Sequence, residues 1–503
     1  MDRRFPLTPP LMASIVSASG ASVVCLVSDD TLSPKGKLVL MTLLLTGYLA
    51  VEVGRLRARR PERWMLNPAV FASFLTIFLQ FCVGNALFLM PEEKVALVGL
   101  LPDVTPAILK LMLLVVLGAA AMWTGYWSGI AGAIAKKFRA SSFLRRVLRP
   151  GLDIRPGTIV ACLALSLVSR LLMIRLGIYG YSSDIDRMQA TVSFKQYLGL
   201  AESLGKFALL LLSLRYFDPA GGGRQGRLLV AVLTVEVLFG FLSGFKGNVA
   251  MPFVIVGIGH YLMRGTIPWR IVAVVPLAIV VAYAVIEPFR IARYSDDAFV
   301  GRDVGSIADT MIKAAFTERD SYTAEDIEES AGTGVAFLAR VSMTQIASLG
   351  VAFADETPLP PGSPRFMADI LLAPVYAVVP RALWQSKEMS RHGLWYVREV
   401  MGIEAGDTSV GMSPFTYLYF AGGAAAVVAG FFFIGMAQRQ LADVFIPAGG
   451  GGLIVFLFLF RGTTLVDSVF YSVIIEIIRM GAIGLAIQYL VLRAPADPAG
   501  DTA

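Results

Sequence analysis

Apolar residues run through this chain in unbroken blocks of about twenty, separated by short polar stretches. Twelve such blocks predict membrane-spanning helices near residues 10–28, 37–54, 67–90, 107–133, 158–178, 199–215, 228–244, 247–263, 271–289, 413–435, 443–461 and 466–492. At about 1.5 Å per residue, each can cross about 30 Å of hydrocarbon with some tilt or a short re-entrant end. The first is the most polar, with five serines, and the seventh and eighth are separated only by Phe245 and Lys246. Outer-membrane strands alternate polar and apolar residues over about ten positions, so continuous blocks exclude a β-barrel.

The polar segments then set an orientation. Arg55, Arg57, Arg59, Arg60 and Arg63 follow the second block. Lys136, Lys137, Arg139, Arg145, Arg146, Arg149 and Arg155 follow the fourth. Arg224 and Arg227, Arg264 and Arg270, Arg439, and Arg493 follow the sixth, eighth, tenth and twelfth. Every even-numbered span ends on a basic side, which predicts cytoplasmic N- and C-termini. Composition agrees: 56% of the 503 residues are hydrophobic and 16% charged, which excludes a soluble enzyme, a disordered chain and a coiled coil. The net charge of +7 then reads as positive cytoplasmic loops rather than nucleic-acid binding. Cys25, Cys82 and Cys162 lie inside apolar blocks, without metal-ligand spacing or a disulfide pattern. No small-residue cleavage site stands out after the charged start, so the first block reads as an uncleaved span.

One connection differs. Residues 290–412 form a 123-residue external loop with 17 acids against 11 basic residues. A structureless loop of that length is unusual, so it is expected to be functional. The expected organisation is spans one to nine over 1–289, the external loop over 290–412, and spans ten to twelve over 413–503. Within the loop, Val335, Leu338, Ala339, Ser342, Ile346, Leu349 and Phe353 form one helical stripe, with Arg340 nearly opposite. Residues 366–380 are apolar but interrupted by Pro374 and Pro380, which suits an interfacial or re-entrant segment. No internal repeat is visible.

No phosphate-binding loop, dinucleotide fingerprint or HExxH motif is present, so no cofactor or metal is expected. The informative residues are cations on the predicted external side, where the positive-inside rule disfavours arginine. They are Arg170 and Arg175 near the end of span five, Lys246 at the tight hairpin, Arg290 and Arg293 after span nine, Arg391, and Arg461 at the end of span eleven. Singly, each reads as a snorkelling anchor. Together they suit an anionic substrate, especially a diphosphate, which arginine binds through its two-pronged fork. His392, beside Arg391 and near Trp395, is the one histidine in the external loop and a candidate general base. Trp384, Trp395, Tyr396, Tyr417 and Tyr419 suit sugar stacking or an interfacial aromatic belt. Glu202 and Glu236 lie within spans. Glu236 could neutralise Arg170 or serve proton coupling. Glu476 and Arg479 are spaced as a structural pair.

The layout, with a large external loop before the last three spans, resembles the O-antigen and exopolysaccharide repeat-unit polymerases, the Wzy-type enzymes. Ser243-Gly244-Phe245-Lys246-Gly247-Asn248 resembles the family's glycine and basic turn. Ser409 to Gly423 resembles its stretch entering the next span, although Ala421 intervenes between Phe420 and Gly422. The resemblance implies a GT-C-like, all-α polytopic fold in a bacterial inner membrane and a glycosyltransferase with a lipid-linked donor. It implies polyprenyl-diphosphate-linked oligosaccharide as donor and acceptor, with a flippase and a chain-length regulator as partners. On that reading the arginines hold the leaving diphosphate, His392 takes the acceptor proton and the loop closes over the sugars. An O-antigen ligase-like enzyme, a lipid-linked glycan flippase and a structural subunit of an export complex are the alternatives.

Overall fold

A computed structural model describes residues 9–61, 64–97, 101, 103–148, 154–182, 191–219, 225–295, 303–316, 333–379, 383–384, 392–403, 410–447, 450–464 and 469–490. Among these residues every element is helical. In chain order the first seven helices are α1 Pro9–Leu26, α2 Pro34–Arg59, α3 Pro68–Leu89, α4 Glu92–Leu97, α5 Pro106–Trp127, α6 Gly129–Ala140 and α7 Ser142–Val147. Then come α8 Pro156–Arg175, α9 Val192–Phe217, α10 Gly226–Leu242, α11 Lys246–Arg264, α12 Trp269–Ser295 and α13 Val304–Phe316. The remainder are α14 Thr333–Val341, α15 Thr344–Glu356, α16 Phe366–Val378, α17 His392–Trp395, α18 Pro414–Gln440, α19 Gly450–Thr464 and α20 Phe470–Leu490.

Nine helices among the described residues are long and apolar enough to cross a membrane: α1, α2, α3, α5, α8, α9, α12, α18 and α20. The protein is thus a polytopic α-helical membrane protein. The other three expected spans are helical too, but α10 has 17 residues and α19 has 15. In α11, Lys246, Asn248, His260 and Arg264 dilute an otherwise apolar segment. The fourth expected span is shorter than its apolar block. Its helix ends at Trp127, and Ser128 is extended (φ −60°, ψ 143°). The Ser128 hydroxyl donates to Gly125 O and accepts from Ala131 N at 3.1 Å, so it closes α5 and caps α6.

Packing divides the chain into two compact units, one of Met1–Leu152 with Ser321–Ala503 and one of Asp153–Asp320. The end of the long loop packs with the first and last helices, while its start packs with α8 to α12.

In the first unit, α5 lies along α18. Glycines permit the close approach: a Cβ on Gly125 would strike Phe432 O, and one on Gly435 would strike Met122 O. Phe415 and Phe431 stack at 4.3 Å in the same core. Charges segregate along this unit. One end holds Arg60 and Arg439 on the buried Asp443, with Arg59 5.0 Å above the Trp127 ring. Glu52 there accepts from Trp127 Nε1 at 2.8 Å and from Arg55.

The loop helices pack at the opposite end. The expected stripe from Val335 to Phe353 breaks at Ser342–Met343 into α14 and α15. Val335 and Leu338 join Leu87 and Val95 in one small core. Helix α15 instead buries Thr344, Ala347, Ser348, Gly350 and Val351, and Leu349 is exposed. Helix α16 spans Phe366–Val378 with Pro374 inside it, close to the interfacial segment read from the sequence. It buries Phe366, Asp369 and Ala373 and exposes Met367, Leu371, Val375 and Val378.

In the second unit, Met173, Ile174, Ile178, Tyr179, Leu198, Phe289, Ile307 and Met311 form the core. The α10–α11 turn at Ser243–Phe245 needs Gly244 at φ +66°, where a Cβ would also lie 2.7 Å from Tyr181 Cβ. Ser243 O accepts from Tyr181 N at 2.9 Å, which pins the turn to the chain after α8.

Candidate functional site

The first unit brings His392 and Asp369 together. Asp369 sits in the first turn of α16 and His392 opens α17, and His392 Nε2 is 2.9 Å from Asp369 Oδ2. Both are buried, with His392 only 6% exposed. Aromatic rings surround the imidazole: Tyr471 at 4.9 Å, Tyr417 at 5.5 Å and Phe366 at 5.7 Å between centroids. A buried histidine bound to a carboxylate has a fixed ring plane and a defined tautomer. Where Nε2–H donates to the Asp369 carboxylate, the ring lone pair lies on Nδ1. This is the arrangement of an oriented general base.

Backbone geometry next to this pair is unusual. Ser413 has φ +64° and ψ 147°, rarely adopted by a residue with a Cβ. Its hydroxyl caps the start of α18, which carries Tyr417. Further along, Gly422 (φ 179°, ψ 34°) and Gly423 (φ 65°, ψ −156°) interrupt α18. Gly423 needs the freedom of glycine, and the break turns the helix after Phe420. Residues 410–423, the described part of the stretch compared above with the polymerases, thus fold as a capped, glycine-broken helix entry.

The other expected aromatic residues in this unit have protein partners. Tyr417 is fully buried, with its hydroxyl 3.3 Å from Phe366 O. Trp395 is half-buried and meets Phe353, Phe366 and Phe420 edge-on. Tyr396 is buried and donates to Ile346 O, and burial pushes its phenol up. Tyr419 donates to Asp355 at 2.6 Å, and Lys110 binds the other oxygen of the same carboxylate. Trp384 tilts against Tyr376 at 5.6 Å. Arg479 donates to Tyr376 O and Ala377 O, at 2.8 and 3.1 Å, and so caps the end of α16. Arg391 and the side chain of Arg461 lie outside the described residues.

The expected cations of the second unit are in varied surroundings. Arg170 is buried and donates through both terminal nitrogens to Glu236, each at 2.8 Å. Its Nε makes no hydrogen bond and lies 4.0 Å from Glu202. Helix α9 can approach this pair only because position 205 is glycine, where a Cβ would strike Glu236 and the Ser166 hydroxyl. Of the two options open in the sequence for Glu236, neutralising Arg170 is the geometry present. The Arg170 fork is therefore engaged within the protein.

Lys246 and Arg290 lie against aromatic faces, Lys246 Nζ 3.4 Å from the Tyr283 ring centre and Arg290 4.3 Å from that of Tyr181. Among the described residues the buried Arg290 Nε has no hydrogen-bond partner. Lys206 donates to Asn248 at 2.9 Å, and Asn248 donates to the Ser243 hydroxyl at 3.1 Å. Arg175 is exposed. Hydrogen bonds from Ser306 hold the Asp303 carboxyl below the usual carboxylate range, and Arg175 adds to this. The side chains of Glu287 and Arg293 lie outside the described residues. The fork of Arg290 is suited to an anionic group, whereas that of Arg170 is already matched.

Sequence reasoning missed Asp369 and Tyr471. Asp369 left a signal: it is the single acid in the apolar run Phe366–Val378. Tyr471 left none, since an aromatic at the start of a span also reads as an interfacial anchor. Among the described residues no group of three or more His, Cys, Asp or Glu is placed to hold a metal ion. No protein-family model matches the chain, and comparison with curated proteins and with solved structures gives no match either.

Proposed function

We propose that the protein is a membrane-embedded glycosyltransferase that polymerises polyprenyl-diphosphate-linked oligosaccharide repeat units at the external face of a bacterial inner membrane. The observation that carries this reading is the buried His392–Asp369 pair, set among aromatic rings at the loop end of the first unit. In the proposed reaction, Asp369 holds the imidazole while Nδ1 takes the proton of the acceptor hydroxyl. That oxygen attacks the anomeric carbon of the donor sugar, whose bond to the lipid diphosphate breaks. Arginine and lysine side chains offset the charge on the departing diphosphate. Since His392 is 6% exposed, the acceptor reaches it only after the loop helices move.

A second reading is favoured by the Arg170–Glu236 pair with Glu202 beside it. Buried charges within membrane spans are typical of transport pathways, so the pair supports an exporter or flippase of lipid-linked glycan. Deleting the gene and profiling glycan length separates the readings. Polymerase function predicts single repeat units on the surface. Unlinked polymer would mean a ligase, and repeat units trapped on the cytoplasmic face would mean a flippase. A normal length profile would reject all three.

A further inference from the structure

We infer that α6 and α7 form a docking surface for anionic phospholipid headgroups. The chain leaves span α5 at Trp127, and the turn at Ser128 starts α6 immediately. This helix therefore sits where the hydrocarbon gives way to headgroups. Its inner face is fixed to the protein: Ala131 and Ala135 are fully buried, and Gln440 Nε2 donates to Ala131 O at 2.6 Å.

The rest of its surface is sorted by chemistry. Ile130, Ile134 and Phe138 recur every fourth residue and flank the buried alanines on one side. Ile130 and Phe138 are 62% and 49% exposed, and Phe143 on α7 is 63% exposed. Lys136, Lys137, Arg139 and Arg145 are exposed on the same two helices. Among the described residues none of these four cations is in an ion pair, unlike Arg55, Arg60 and Arg439 at the same end of the unit. Arg145 spends one nitrogen on Ala140 O at 3.2 Å.

An apolar flank beside unpaired cations is the pattern of a helix lying in the bilayer interface. The aromatic and aliphatic side chains reach the upper acyl region, and lysine and arginine stems carry their charges to headgroup depth. Charge complementarity selects the occupant. A zwitterionic surface offers no net attraction to four cations, whereas an anionic headgroup offers each arginine a bidentate phosphate and each lysine a counter-charge.

The test uses the full-length protein in nanodiscs of phosphatidylcholine, with and without phosphatidylglycerol, and native mass spectrometry of the retained lipid. Wild type should retain phosphatidylglycerol over phosphatidylcholine, and Lys136→Gln/Lys137→Gln/Arg139→Gln should cut that preference about a hundredfold, since each surface cation contributes roughly fivefold. A charge-conserving variant, Lys136→Arg/Lys137→Arg/Arg139→Lys, should keep it. Equal retention of the two lipids by wild type would overturn the proposal. So would an unchanged preference in the glutamine variant, or an equal loss in the charge-conserving one.

Discussion

Asp369 and His392 come from different helices, 23 residues apart, and meet through a 2.9 Å contact with both side chains buried. If this pair supplies the base, His392→Ala should lower polymer formation by about 10²–10⁴-fold. His392→Gln should fail as well, because an amide can hydrogen-bond but cannot accept the proton. Asp369→Asn should cost less, since the ring would keep its place but lose its preferred tautomer. The measurement is polymer length and amount in a deletion strain complemented with each variant, with protein abundance checked by blotting. Full polymer from His392→Gln would leave the histidine a positioning role only.

Arg170 and Glu236 make a different prediction. Each is buried, so removing one partner strands the other as an unpaired charge. Arg170→Met or Glu236→Leu should destabilise by about 3–5 kcal/mol, while the double variant should recover much of the loss. Thermal unfolding of purified protein reads this directly. If Arg170→Met is as stable as wild type but inactive, the arginine serves substrate rather than structure.

Which parts of this architecture were legible in the sequence follows from the solvent. Lipid requires backbone hydrogen bonds to be made within each span, so apolar length alone revealed the nine described helices long and apolar enough to cross a membrane, and α10, α11 and α19 besides. Breaks inside apolar pattern were not legible. Ser128 ends α5, and Ser342–Met343 divides α14 from α15, without interrupting the hydrophobic periodicity around them. The site followed the same rule. His392 stood out as the one histidine between residues 290 and 412. Its partner Asp369 was hidden in an apolar block, because a contact across 23 residues depends on how α16 and α17 pack. The Arg170–Glu236 pair was open to two readings for the same reason.

Topology can be tested through Thr357, which is exposed between α15 and α16. With Cys25, Cys82 and Cys162 replaced by alanine, Thr357→Cys should react with a membrane-impermeant maleimide in intact spheroplasts. Reaction only after permeabilisation would reverse the orientation drawn from the basic even-side loops.

Asp355 predicts an acid-sensitive link. Partial burial raises its carboxyl, but hydrogen bonds from Lys110 and Tyr419 lower it by more, so it titrates below the ordinary carboxylate range. A depressed folded-state value stabilises the protein above the unfolded value of about 3.9 and is lost as pH falls through the folded one. Because the groups are partly exposed, the contribution should stay below about 1 kcal/mol. Asp355→Asn should unfold slightly earlier than wild type at pH near 6. The two should converge in acid, and a gap that persists at low pH would assign the effect to packing.

The tight contact between α5 and α18 gives the most structural prediction. Gly435 on α18 faces Met122 O on α5 with no room for a Cβ, and Gly125 faces Phe432 O in the same way. Membrane helices gain little from apolar transfer into one another, so such close backbone contact is a main source of their association. Gly435→Ala should force the helices apart and cost about 1–3 kcal/mol, as overpacking does in other cores. Gly435→Leu should cost more and lower the amount of folded protein recovered in detergent. Gly54 is the control: it lies on α2 with open space for 4 Å around the position a Cβ would take, so Gly54→Ala should be neutral or slightly stabilising. Equal melting temperatures for Gly435→Ala and Gly54→Ala would show that the α5–α18 contact is looser than its geometry indicates.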